Sequence, residues 1–362
     1  MLPSFLTSRF FLLQTSLYNN TIFFIFFQLF YNYFFKSNIS YSDGDILNAL
    51  FLFGFFLVSG IYLFFIGLKT LETNLSLLLT KSSFKKFNSY HPFILVIIGT
   101  FLSAIIQSTS ASLALTIPFI STGLISPLNA IYLLLGFNIG TSSTLIINNF
   151  DKLLFSSIFF FLFVFFYIIR NIHTDKNKLK YISFLFLGIS LIFFSLNMIN
   201  KSIVFLIRIP FYLSFINHLT FNYMYPFLIG TLSSLLIQSS SVVLSTFQQL
   251  YISSNIDLAY FVLLSLGGNI GSTITGVIAS YKFDKKSKLV SYFNIFYNII
   301  GSLFFLIILK YLIILIYTTR IFFNLSKGYD ITICHFIINL GTSLLFYPFI
   351  KPLYRLFNYY FD

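Results

Sequence analysis

Long apolar runs separated by short polar or basic stretches set the framework of this chain. They approach or exceed the roughly 20 residues that a helix needs to cross hydrocarbon, and they lack the ten-residue alternation of a membrane β-barrel. They predict spans near residues 12–35, 46–68, 127–148, 153–170, 181–200, 257–280, 289–315 and 331–350. Two further runs, at about 93–118 and 225–249, are long enough to cross yet are interrupted in the middle by hydroxyl and amide side chains. The pattern predicts an all-α polytopic membrane protein with about eight transmembrane helices.

The interrupted runs belong to a larger repetition. Gly99 to Ile147 returns as Gly230 to Ile278, 131 residues later and without a gap, with about 17 of 49 positions identical. Polar residues return along with the apolar filler. Gln107, Ser108, Thr109 and Ser110 come back as Gln238, Ser239, Ser240 and Ser241, while Asn138 and Thr141 come back as Asn269 and Ser272. Polar groups are expensive inside a bilayer, so two matching clusters predict a paired site. Packing between membrane helices requires small residues, but it does not require amides. A weaker match, Gly60 to Leu71 with Gly188 to Ile199, extends the repeat upstream.

Composition and charge place these runs in a membrane. The chain is 57% hydrophobic and 9% charged, with a mean hydropathy of +0.90. Its net charge of +13 is collected between the apolar runs, in the pattern of the positive-inside rule rather than of a nucleic-acid interface. Lys81, Lys85 and Lys86, then Arg170, Lys176, Lys178 and Lys180, then Lys282, Lys285, Lys286 and Lys288 are expected in the cytoplasm. Both termini then fall on that side, which Lys351 and Arg355 support, and the first run, with no cleavage site after Phe35, is expected to be a retained anchor. This assignment closes only if each interrupted run is a re-entrant hairpin. The basic approach to the first hairpin and the absence of Lys or Arg from 209–225 predict entry from opposite sides, an inverted repeat. The domains expected are an N-terminal anchor and loop (1–45), repeat 1 (46–180), repeat 2 (181–318), and a C-terminal helix and tail (319–362).

The paired site must work with neutral dipoles. No charged residue falls between Gly99 and Ile147, and the second unit holds only Asp257, which aligns with Ser126 at the start of a helix and is expected to cap it. Hydroxyls and carboxamides can donate to an anion and accept around a cation, so an anion held here needs a co-bound cation such as Na⁺. Gly136, Gly140, Gly267, Gly268 and Gly271 are expected to let backbone approach bound ions. The hairpin tips are expected to bring Gln107 and Gln238 together around one cavity. The lone Cys334 offers no disulfide and no metal-ligand spacing. A serine hydrolase is disfavoured, because the repeats hold no carboxylate to orient a base and no Gly-x-Ser-x-Gly turn.

The doubled pattern GxLxSxxxQSSS followed by GxNIGT resembles the sodium-dependent phosphate cotransporter family over roughly Gly54 to Pro352. The resemblance implies Na⁺-coupled phosphate symport across the plasma membrane (the inner membrane in bacteria), with no cofactor beyond Na⁺ as coupling ion. It places the site at Gln107, Ser108, Thr109, Ser110, Asn138, Thr141, Gln238, Ser239, Ser240, Ser241, Asn269 and Ser272. An anion channel or exporter of the same fold remains the alternative. Two late family segments appear as Asn294 to Gly301 and His335 to Gly341, with Asn294 where bacterial relatives carry His. His335 is expected to serve packing or hydrogen bonding. Gly123 stands where electrogenic animal members carry an aspartate, which implies fewer coupled sodium ions or an electroneutral cycle. Many bacterial relatives append a soluble regulatory domain, and none is expected here.

Overall fold

The computed structural model describes residues 46–78, 86–170, 176–206, 222–253 and 256–361. The expected first span, Lys81, Lys85 and most of 209–225 lie outside them. The described residues are helical, with no strand, and seven of their helices are long and apolar enough to cross a membrane, one for each remaining predicted span. This is an all-α polytopic membrane protein.

Repeat 1 runs through α1 (Ile46–Leu78), α2 (Pro92–Ile106), α3 (Thr109–Ser121), α4 (Pro127–Gly140), the short α5 (Ser143–Ile147) and α6 (Lys152–Ile169). Repeat 2 follows with α7 (Lys176–Leu206), α8 (Met224–Ile237), α9 (Ser240–Ser253), α10 (Leu258–Ser272), α11 (Ile274–Ser280) and α12 (Lys285–Ile307). The chain continues through α13 (Leu309–Phe322), α14 (Tyr329–Phe346) and α15 (Ile350–Phe361). The expected span at 289–315 is therefore two elements. Ile308 leaves helical geometry (φ −101°, ψ 20°), two residues before Lys310, a lone charge that a hydropathy window averages away among its apolar neighbours. The predicted spans at 46–68 and 181–200 are likewise longer, as α1 and α7.

Each broken run is a hairpin. The axes of α2 and α3 differ by 120°, and α2, at about 22 Å, is too short to cross roughly 30 Å of hydrocarbon. Glycine contacts show that the hairpin returns to its starting side. A methyl added at Gly136 would overlap the Val96 carbonyl oxygen, and one at Gly140 that of Thr100, so α2 and α4 run parallel at backbone contact. Gly267 and Gly271 press α10 onto Phe227 and Thr231 of α8 in the same way. These glycines, expected to admit ions, instead admit the neighbouring helix.

The two halves are inverted. Gly60 of α1 meets Ser195 and Ile199 of α7, while Gly188 of α7 meets Gly67 and Leu71 of α1. These are reciprocal contacts between equivalent residues, so equivalent helices of the two repeats cross antiparallel. The base of the first hairpin (Leu95, Ile120) packs with Leu289 and Phe293 at the start of α12. The base of the second (Leu250, Tyr251) packs with Leu312, Ile316 and Ile331. Between these two ends run α10 and α11, 23 residues and about 34 Å. The hairpins accordingly enter from opposite ends of the bundle.

Candidate functional site

The two hairpin tips are built alike from their repeated residues. Each first arm ends in a glutamine with left-handed backbone, Gln107 at φ 60° and ψ 24° and Gln238 at φ 58° and ψ 22°. A left-handed residue is the usual way to end a helix, and glycine serves it at least cost. A non-glycine residue there costs roughly 1–2 kcal/mol. Finding glutamine twice at such a position points to use of the carboxamide. The serine that follows starts the second arm: Ser108 Oγ accepts from Ala111 N at 3.2 Å, and Ser239 Oγ from Val242 N at 3.4 Å. The tip then presents the C-terminal carbonyls of one arm beside the N-terminal N–H groups of the other, a pairing suited to a cation and an anion together.

The segments after the tips fold back onto them. Thr144 Oγ1 donates to the Gln107 carbonyl at 3.3 Å, and Thr275 Oγ1 repeats this at Gln238 at 3.2 Å. Thr109 Oγ1 donates to Phe137 O at 3.2 Å and meets Thr141 Oγ1 at 3.3 Å. Asn138 and Thr141 bond within α4 and at its end, to Leu134 O and Asn138 O at 2.9 and 2.7 Å. Ser272 does likewise with Asn269 O at 3.1 Å.

The two tips also touch each other. Ser241 Oγ of the second donates to the Gln107 carbonyl of the first at 3.0 Å, and Ser110 Oγ donates to Ser272 O at 3.1 Å. The halves differ at one point. Gln107 is 2% exposed and its Oε1 has no partner, whereas Gln238 is exposed, so the two carboxamides do not share a buried environment as the repeat predicts. The equivalent serines one turn earlier, Ser103 and Ser234, are both fully buried with unpartnered hydroxyls. They stand in the repeated motif and were legible there, but small serines in a membrane helix read first as packing.

A third element ties the halves together. His335 on α14 places Nδ1 3.0 Å from Ser142 Oγ and Nε2 3.1 Å from Asn269 Oδ1, bridging repeat 1 to repeat 2. Asn269 Nδ2 in turn donates to Asn339 Oδ1 at 3.2 Å. One neutral tautomer, with the proton on Nε2, satisfies both ring nitrogens. Asn294 is buried and accepts from Asn298 Nδ2 at 2.9 Å, within α12. Asp257 caps α10 through Ala259 N at 2.9 Å and Ser126 caps α4 through Asn129 N at 3.3 Å, the role their alignment predicted. Cys334 is buried, and the described residues hold no metal-ligand cluster of His, Cys, Asp or Glu.

Comparisons with known proteins agree with this layout. The sequence profile described as Na+/Pi-cotransporter matches residues 63–201 and 212–327, each segment containing one hairpin. The chain is 28% identical over 276 residues to the uncharacterized protein YqeW of Bacillus subtilis (strain 168), covering 74% of this chain and 84% of that one. It is 23% identical over 257 residues to YjbB of Escherichia coli (strain K12), a candidate inorganic phosphate export protein, covering 71% of this chain and 46% of that relative. No solved structure matches the chain. With the profile covering most of its length, the chain belongs to the Na+/Pi-cotransporter family.

Proposed function

We propose that this protein is a secondary transporter that moves inorganic phosphate across the membrane together with Na⁺, at the meeting point of the two hairpin tips. The observation that carries this reading is the pair of left-handed glutamines. Each is held at a backbone conformation that disfavours it, each heads an N-terminal serine cluster, and the buried Gln107 Oε1 is left without a partner. An unpartnered carboxamide oxygen suits a hard cation, and the serine O–H and first-turn N–H groups beside it suit an oxyanion.

The tips carry no charged side chain. Phosphate alone would be poorly compensated in low dielectric, and Na⁺ alone likewise, so each ion makes the other's entry less costly. That mutual dependence is the physical basis of coupling. The candidate ligands are Gln107, Ser108, Thr109, Ser110, Asn138 and Thr141, with Gln238, Ser239, Ser240, Ser241, Asn269 and Ser272. In this reading the basic turn at Lys282–Lys288 faces the cytoplasm, as do both termini.

The test is radiolabelled phosphate flux in proteoliposomes with an imposed Na⁺ gradient. Uptake should follow the gradient, and replacing Na⁺ with choline at constant pH should reduce it at least 10-fold. Flux that persists in choline would reject Na⁺ coupling. A second reading, net phosphate export, is favoured by the description of YjbB. Efflux from loaded vesicles without a Na⁺ gradient, exceeding uptake driven by one, would select it.

A further inference from the structure

A second polar constellation lies away from the hairpin tips. At the end of the bundle where the second hairpin enters, a cavity of about 380 Å³ is lined by Tyr251, Asp257, Tyr317, Arg320, Lys327 and Asp330. It sits at the start of α10, the opposite end of that span from the basic turn after α11, and so opens on the outer face in the proposed orientation. At roughly 30 Å³ per water, the space admits a tetrahedral oxyanion together with hydration water.

The carboxylates of this cavity are already engaged. Fully buried Asp330 meets Arg320 Nε at 2.9 Å through one oxygen and accepts from the Tyr251 hydroxyl at 2.8 Å through the other. Asp257 Oδ1 accepts from Ala259 N. Arg320 and Lys327 face the same space. Arg320 offers one edge to Asp330, and its side chain is 28% exposed, which leaves the terminal nitrogens for a second acceptor. Lys327 Nζ lies 4.4 Å from the centre of the Tyr251 ring, over its face. Two cations line the cavity, while one carboxylate is ion-paired and the other caps α10, an arrangement that suits an oxyanion better than a cation.

The cavity is connected to the tips by two rigid elements. Tyr251 lies on α9, whose first residues are Ser240 and Ser241, about 15 Å away by helical rise. Asp330 lies on α14, little more than one turn before His335. We infer that this cavity is a docking vestibule for inorganic phosphate, where Lys327 and Arg320 hold the hydrated oxyanion on its way to or from the hairpin tips. The inference rests on the phosphate-transport reading for its ligand, and its test separates the two.

The experiment has a kinetic and a direct arm. In proteoliposomes, Lys327→Gln should raise the half-saturating phosphate concentration about 3- to 10-fold with the maximal rate unchanged, and added salt should shrink the difference. Arg320→Lys, which keeps Asp330 paired, should shift it in the same direction. In the direct arm, Lys327→Cys is labelled with a membrane-impermeant maleimide, the native Cys334 being the only other cysteine and buried. Inorganic phosphate should slow that labelling, also when Ser239→Ala disables the tip, whereas chloride at equal ionic strength should not. If phosphate is transported but neither arm responds, or chloride protects equally, the vestibule is overturned and the transport reading stands. If no phosphate is transported while phosphate still protects, the transport reading falls and the vestibule stands as an anion site.

Discussion

Ser108 offers the sharpest separation of a structural role from a binding one, because the structure gives its oxygen a job. Ser108 Oγ accepts from Ala111 N as the N-cap of α3 while its own O–H is free to donate. Ser108→Ala removes both functions. Loss of the cap costs about 1 kcal/mol of stability, with a range near 0.5–2, whereas glycine at an N-cap costs only a few tenths. Loss of a hydrogen bond to a charged ligand costs about 1.5–3 kcal/mol, roughly 10- to 150-fold in phosphate affinity. The pair Ser108→Ala and Ser108→Gly therefore decides the matter. Thermal unfolding in detergent should rank glycine above alanine, while phosphate flux in proteoliposomes should fall at least 10-fold in both. Ser239→Ala and Ser239→Gly should repeat the pattern in the second half. If flux instead follows stability, with the glycine variants near normal and the alanine variants weak, the serines cap helices and bind nothing.

Three further outcomes follow from the geometry. Gln107→Gly relieves the left-handed strain and removes the carboxamide, so it should be as stable as the parent or more so, yet lose Na⁺-dependent flux; retained flux would show that only the turn matters. Gly136→Ala and Gly267→Ala push a methyl into the Val96 and Phe227 carbonyls and should cost at least 1–3 kcal/mol, read as lower yield and earlier thermal unfolding. His335→Leu removes one hydrogen bond each from buried Ser142 and Asn269, which keep only Asn339 among the described side chains, at about 1–3 kcal/mol apiece, and His335→Gln should recover part of the loss in both melting and flux, which an apolar packing role would not produce.

Much of this molecule was readable from residue order. Crossing a bilayer demands long helices with all backbone groups paired internally, so hydropathy located the seven described spans, although it missed the full length of several of them. Duplication of amides and hydroxyls marked the hairpin tips, and the uneven distribution of Lys and Arg gave their opposed entry. Capping by Asp257 and Ser126 was legible because it is local chemistry. The resemblance to the family rested on the same short motifs.

Other features were decided only by packing. The repeated glycines read as ion-approach points until their neighbours showed helix against helix, since a glycine's purpose depends on what a side chain there would strike. The break at Ile308 has only Lys310 beside it as a mark, and a single charge in a long apolar run does not by itself end a helix. His335 could not be joined to Ser142 and Asn269 from sequence, because partners 193 and 66 residues away meet only through tertiary contact. The burial of Gln107 beside the exposure of Gln238 is likewise invisible in two near-identical motifs: equal sequences can occupy unequal environments when an inverted repeat folds into one asymmetric arrangement. The charged vestibule required both kinds of information. Its residues come from α9, the N-cap of α10, α13, the turn after α13 and α14, and only the closure of those elements at one end brings Tyr251 and Asp257 beside Arg320 and Lys327 in a single cavity.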